Sequence, residues 1–219
     1  MKKKIGFQAV AWLSVTLLIF SVLGCGSISD QQAPSGRTST SVSAISQAKA
    51  AKLPMPAGIR QANTVQAKGT IEVAFSPNGG GAGLIIKAIG EAKKSIKVQA
   101  YSFTNAEIAK ALLEASKRGV DVRAVLDKSQ ETEKYSSATF LANAGVPVRI
   151  DDDFAIAHSK IMILDDENII TGSFNFTKAA EERNAENVLV IRGDKELARL
   201  YIENWQWRWD ASETYKRKG

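Results

Sequence analysis

Ser95-Ile-Lys-Val-Gln-Ala-Tyr-Ser-Phe-Thr-Asn-Ala-Glu-Ile-Ala-Lys-Ala-Leu-Leu-Glu-Ala-Ser-Lys-Arg-Gly-Val-Asp-Val-Arg-Ala-Val-Leu126 decides the fold of this chain. Ser95–Ser102 is an apolar, strand-forming run. Asn105 stands at an N-cap position for a helix over Ala106–Arg118, and Gly119 ends it. Val120–Leu126 is a second apolar strand. On the N-terminal side, Thr70–Phe75 alternates as a strand, Ser76–Gly83 is a glycine-rich loop and Leu84–Lys94 has helical spacing. On the C-terminal side, Tyr135–Ala144 reads as a helix that Gly145 stops. Val146–Ile150, His158–Leu164, Asn168–Thr171 and Asn187–Arg192 read as strands, and a helix capped by Asp194 runs over Asp194–Trp209. The opening strand-helix order predicts an α/β domain: a mixed, mostly parallel sheet with helices on both faces. Close spacing of the last strands is what makes the sheet mixed. About 140 residues suffice for one such core.

The charge is unevenly spread. The net charge is +6, yet residues 1–69 hold eight Lys/Arg against one Asp, while residues 70–219 hold 21 Lys/Arg against 22 Asp/Glu. The basic character belongs to the N-terminal extension, so an anionic ligand of the domain must be held by a local patch. One Cys rules out an intrachain disulfide or a multi-cysteine zinc site, and the chain has one His.

Residues 1–24 read as an export signal, with Lys2, Lys3 and Lys4 ahead of the apolar run Ala9–Leu23. An uncleaved membrane anchor is the alternative, although the run is shorter than the ~20 residues that span comfortably. Val22-Leu-Gly-Cys25 resembles a bacterial lipobox, which implies cleavage before Cys25 and its lipidation; incidental placement of Cys25 is the other reading. Either way the chain leaves the cytoplasm, and the lipobox reading makes it a periplasmic, membrane-anchored lipoprotein. Residues 25–69, rich in Ser, Thr, Ala, Gln and Pro, read as a flexible tether to the domain at 70–219.

The chemistry is concentrated in His158-Ser-Lys-Ile-Met-Ile-Leu-Asp165 and Gly172-Ser-Phe-Asn-Phe176. On a strand His158 and Lys160 share a face by period two. A turn at Asp165–Glu167 sends Asn168–Thr171 back, returning Gly172–Asn175 beside them. An imidazole, an ammonium, a hydroxyl and a carboxamide then converge. Such a set suits a phosphodiester: Lys160 supplies charge to a phosphate oxygen, Asn175 and Ser173 donate hydrogen bonds, and Gly172 admits close backbone approach. A neutral His158 can attack phosphorus to give a phosphohistidine. Taken singly, a strand His or Lys is ordinary packing or surface; the spacing H-x-K-x4-D-x6-G-S-x-N is not an ordinary coincidence.

This spacing is the HKD motif, and the sequence resembles the phospholipase D superfamily, most closely the small single-motif bacterial Nuc-type endonucleases. Val73–Asn78, Ala100–Thr104, Lys117–Arg123, Gly172–Thr177 and Asn184–Val190 carry the resemblance over about residues 73–209. It implies a phospholipase D-like sandwich, His158 as nucleophile, Lys160 and Asn175 on phosphate oxygens with Ser173 in support, and no cofactor or metal. It further implies that Glu186 hydrogen-bonds the histidine and fixes its tautomer; a surface acid at a strand edge is the plainer reading. Asp165 matches the motif aspartate but lies on the opposite strand face from His158, which suggests a structural role at the turn.

Two-step displacement needs a nucleophile and an acid, and the superfamily uses one histidine from each of two motifs. A chain with one His therefore predicts an obligate homodimer with one site on its twofold axis. An isolated protomer loses the leaving-group acid, a factor of ~10²–10⁴. Asp151, Asp152 and Asp153 read as a solvated acidic loop, with a cation site as the alternative. Trp205, Trp207 and Trp209 read as anchors of the last helix, with base stacking as the alternative. The function expected is metal-independent hydrolysis of nucleic acid. The alternatives are a phospholipase D acting on head groups, which a Cys25 membrane tether favours, and an idle envelope-tethered binding protein.

Overall fold

A computed structural model describes residues 53–216. The strands are β1 (Thr70–Phe75), β2 (Ser95–Ala100), β3 (Asp121–Asp127), β4 (Val148–Asp151), β5 (Lys160–Leu164), β6 (Asn168–Gly172), β7 (Asn187–Arg192) and β8 (Glu213–Thr214). The helices are α1 (Gly81–Glu91), α2 (Ala106–Lys117), α3 (Ser137–Asn143), α4 (Lys178–Glu182) and α5 (Lys195–Ala211). Asn105 caps α2 as its sequence predicts, its side-chain oxygen accepting from the Glu107 and Ile108 N–H groups. Asp194 caps α5 in the same way through Leu197 N–H. The short α4 and the two-residue β8 carry too little periodicity to be read from sequence.

All eight strands form one sheet in the order β1-β7-β6-β5-β2-β3-β4-β8. Only β2–β3 and β3–β4 pair in parallel; the other five pairings are antiparallel. The expected mostly parallel sheet is thus corrected to a mostly antiparallel one. A parallel pair needs a crossover between its strands, and only the connections through α2 and α3 carry the chain back to begin a neighbouring strand in the same direction. Although α1 separates β1 from β2, β1 crosses to the far edge and pairs antiparallel with β7.

Helices do cover both faces. On one face Ile85, Ile89, Ile108, Leu112 and Leu141 pack over Ile96, Val98, Leu126, Met162 and Ile170. On the other, Trp205 and Ala198 of α5 pack over Val125, Ile163 and Ile169. β5 shows the alternation plainly, with Met162 and Leu164 in the first layer and Ile163 in the second. Trp205 donates its indole N–H to Val98 O (2.8 Å) and stacks on Trp209 with ring centroids 4.9 Å apart. The tryptophans therefore anchor α5, as one of the two sequence readings had it.

The export signal, Cys25 and most of the tether lie outside the described residues. The end of the stretch read as tether is described, and it is docked rather than loose. Trp207 donates its indole N–H to Leu53 O (3.0 Å), and Lys68 N–H donates to Asp194 (3.2 Å). Among the described residues, no helix is long and apolar enough to cross a membrane.

Candidate active site

The β5–β6 hairpin builds the site. Its turn is closed by Glu167 N–H on Leu164 O, and Asp165 and Asp166 take φ values of +55° and +60°. Short polar side chains tolerate that region. The Asp165 carboxylate accepts from the backbone N–H groups of Lys93, Lys94 and Ser95, at 2.6–3.1 Å, and so ties the hairpin to the start of β2. Burial alone would raise its carboxyl; the three N–H donors outweigh that and hold it below its ordinary value.

At the other end of β5, Lys160 is 7% exposed while His158 stands open to solvent. Lys160 Nζ donates to His158 O (2.8 Å) and lies 2.9 Å from His158 Nδ1. The loop leading to His158 is held by Ala157 N–H donating to Asp127 (2.7 Å) and by Lys128 Nζ donating to Phe154 O (2.9 Å).

Gly172 ends β6 with φ +149°, and a Cβ there would stand 2.3 Å from Asn187 O. Only glycine permits this approach of the two chains. The backbone N–H groups of Ser173 and Phe174 both donate to that Asn187 oxygen. Ser173 Oγ accepts from Asn187 N–H (3.1 Å) and Asn187 Nδ2 (3.3 Å), which leaves its own proton to donate outward. Phe174 and Phe176, on either side of Asn175 in the chain, are each 1% exposed, and Phe176 pairs with Phe103. The buried Asn175 Oδ1 has no hydrogen-bond partner among the described residues. An amide oxygen only accepts, so a phosphate oxygen at this place would be met by the Asn175 Nδ2 donor and not by Oδ1.

His158, Lys160 and the Gly172–Asn175 loop thus meet at one end of the hairpin. Glu186 differs from expectation: it is not hydrogen-bonded to His158. Its carboxylate accepts from Asn184 Nδ2 (3.0 Å), its backbone is tied to Ser76, and it acts on Lys160 through charge alone. The physical reason is that Lys160 already occupies Nδ1. Burial pulls the Lys160 ammonium below its ordinary value, and Glu186 opposes that pull.

Sequence reasoning gave no role to three residues. Tyr101 lays its ring 4.6 Å from the His158 ring; Asp127 fixes the loop before His158; and Asn187 holds the Gly172–Phe174 turn. Tyr101 and Asn187 fall inside stretches that carried the family resemblance, but nothing in their spacing revealed a role. The acidic triplet is also corrected. Asp151 and Asp153 are buried against Arg208, whose Nε donates to Asp151 at 2.7 Å, so they are neither a solvated loop nor a cation site. Among the described residues, no cluster of three His, Cys, Asp or Glu side chains is arranged to hold a metal ion.

Comparison with known proteins gives the family. Residues 85–209 match the family described as cardiolipin synthase, PLD-like domain, and the chain belongs to this phospholipase D-like family of phosphodiester hydrolases. It is 45% identical over 135 residues to a phospholipase D of Rickettsia conorii, covering 62% of this chain and 67% of that one. It is 33% identical over 126 residues to the human mitochondrial cardiolipin hydrolase, covering 58% of this chain and 50% of that one. The solved structure of Nuc from Salmonella typhimurium, a phospholipase D family member, superposes with a TM-score of 0.66 at 45% identity, over 68% of this chain and 99% of that one. NucT from Helicobacter pylori shares the fold at a TM-score of 0.59 and 23% identity, over 67% of this chain and all of that one.

Proposed function

We propose that this phosphodiesterase cleaves nucleic acid through a phosphohistidine on His158, without a metal, in a homodimer whose single site lies on the twofold axis. What supports the reading is an exposed His158 held by the buried Lys160, at the end of the hairpin that leads into Asn175, in a chain that owns one imidazole. Nε2 of His158 attacks phosphorus, and the bond to the leaving oxygen breaks as the partner copy's imidazolium protonates it. Water, giving its proton to that same imidazole, then attacks phosphorus and releases His158. Lys160 and Asn175 hold the non-bridging oxygens, with Ser173 in support.

The arrangement of Lys160 adds a step. While its ammonium donates to Nδ1, a neutral imidazole carries its proton on Nε2 and lacks the attacking lone pair. Phosphate drawing Lys160 away lets the proton sit on Nδ1 and makes Nε2 the nucleophile. An open nucleophile suits a long polymer that cannot enter a closed pocket. For the dimer, β1 offers an apolar ridge of Ile71, Val73 and Phe75, 52–65% exposed, running up to Ser76 and thence to Glu186.

A second reading, cleavage of phospholipid head groups, is favoured by the names of the relatives and by Ile156, 54% exposed and two residues before His158. Plasmid DNA, RNA and phosphatidylcholine vesicles, each offered to the full chain in EDTA, separate the two. DNA or RNA cleavage is expected, lost in His158→Ala. Cleavage of lipid alone would overturn the first reading, and loss of all activity in EDTA the metal-free mechanism. His158→Ala with unchanged biological activity would point to a binding protein instead.

The export reading completes the proposal: a periplasmic protein held to a membrane through lipidated Cys25. Acyl label on the wild-type chain that is lost in Cys25→Ser is the expected result, and an unlabelled wild type removes the anchor.

A further inference from the structure

Tyr101 is the first residue past β2. Its backbone N–H donates to Ser159 O (2.9 Å), and Gln99 Nε2 from the same strand donates to Ser159 Oγ (3.1 Å). The residue between His158 and Lys160 is thereby pinned twice to the end of β2. From that fixed point the Tyr101 ring reaches both members of the motif. Its centroid lies 4.6 Å from that of the imidazole, at an interplanar angle of 53°, and Lys160 Nζ is 5.4 Å from the same centroid. An exposed imidazole with free torsions would otherwise sample many orientations.

We propose that Tyr101 is a positioning residue of the site, whose ring orients the His158 imidazole and whose π-face favours the charged form of Lys160. Aromatic faces attract cations, and tilted ring pairs are a favoured geometry. The need is physical: Lys160 is buried, and burial works against its charge. Other charged groups act nearby. Lys160 reaches the imidazole from β5, Glu186 acts on Lys160 from the residue before β7, and Asp127 at the end of β3 holds Ala157. Asp127 and Glu186 take their hydrogen bonds from Ala157 and Asn184, and Lys160 donates to His158, none of them to the Tyr101 side chain. The phenol hydroxyl plays no part, and phenylalanine should serve equally.

Only the activity measurement rests on the phosphodiesterase reading. The chain has one histidine, so isotope-labelled full-length protein gives a single imidazole spin system whose assignment needs no mutant. In Tyr101→Leu the imidazole ring protons should lose the displacement caused by the tyrosine ring. Turnover of bis(4-nitrophenyl) phosphate should drop about tenfold in kcat with KM within about twofold, the pattern of lost transition-state alignment. Tyr101→Phe should restore both. An imidazole in Tyr101→Leu that resonates as in the wild type overturns the proposal, as does a Tyr101→Phe variant as impaired as Tyr101→Leu. If Tyr101→Leu does not fold, magnetisation transfer between the Tyr101 and His158 rings in the wild type decides: its presence supports the contact and its absence overturns it. A wild type inactive on every phosphodiester would instead sink the functional reading, and leave the imidazole measurements to judge Tyr101 alone.

Discussion

Lys160 holds His158 from two sides: its ammonium lies 2.9 Å from Nδ1 and donates to the carbonyl oxygen of the same residue at 2.8 Å. The ammonium and the imidazole are therefore one unit in this protomer. Under the proposed mechanism, substrate must compete for the ammonium before the imidazole can attack.

That coupling has a pH signature. Burial lowers the Lys160 ammonium below the ordinary 10.5, so the alkaline fall of kcat/KM should begin earlier than a free lysine would allow. Lys160→Arg should push that limb out of range, because guanidinium stays charged. Stability runs the other way. The unfolded chain binds this proton more tightly, so stability rises with pH between the lowered folded value and 10.5, and Lys160→Met should flatten that rise in urea melts. The same variant should cost about 10²–10³ in kcat, the usual loss on removing one oxyanion donor.

Asp165 is a clamp rather than a proton carrier. Asp165→Asn should lower stability by about 1–3 kcal/mol at neutral pH, as a charged acceptor of three backbone N–H groups is weakened. Because its folded-state carboxyl lies below 3.8, the stabilisation is complete above 3.8 and disappears as pH falls through the folded value. The difference between wild type and variant should close in that acid window. Activity per folded molecule, measured well below the melting temperature, should be unchanged.

Arg208 neutralises Asp151 and Asp153 in a nearly dry setting, with its guanidinium over the Phe154 and Trp207 rings at 4.1 and 4.6 Å. Arg208→Met leaves the carboxylates buried without it and should cost about 3–5 kcal/mol in urea unfolding. Adding Asp151→Leu should recover much of that loss.

The segment before β1 is a structural part of the domain. A chain beginning at Thr70 should be less stable by about 1–3 kcal/mol than one beginning at Lys52, since it loses Leu53 O on the Trp207 indole and the Lys68 N–H on Asp194. Paired thermal melts of the two chains measure this.

Much of the site was legible because its residues are close in sequence. His158, Lys160, Gly172, Ser173 and Asn175 lie in or beside one hairpin, whose period and turn chemistry carry them to its open end, while Asp165 closes the turn at the other. The Asn105 and Asp194 caps were legible for the same reason: a helix start is a local event. The acidic triplet was misread because its partner comes from elsewhere. In this protomer Asn184 reaches Glu186 and Lys160 reaches Nδ1, each a neighbour in sequence, and no spacing rule says which acceptor a donor takes. Asp151 looked solvated until α5 brought Arg208 across 57 residues of chain.

By itself the sequence determined the strands and helices other than the short α4 and β8, the hairpin that carries the motif and the chemical types of its reactive groups, since alternation, capping and turn preference act over a few residues. The tertiary structure alone decided that β1 crosses to the far edge and makes the sheet mostly antiparallel. It alone laid Tyr101 against His158 and buried Asp151 and Asp153 on Arg208. Those outcomes come from packing distant segments over shared apolar faces, and no local pattern records which segments will meet.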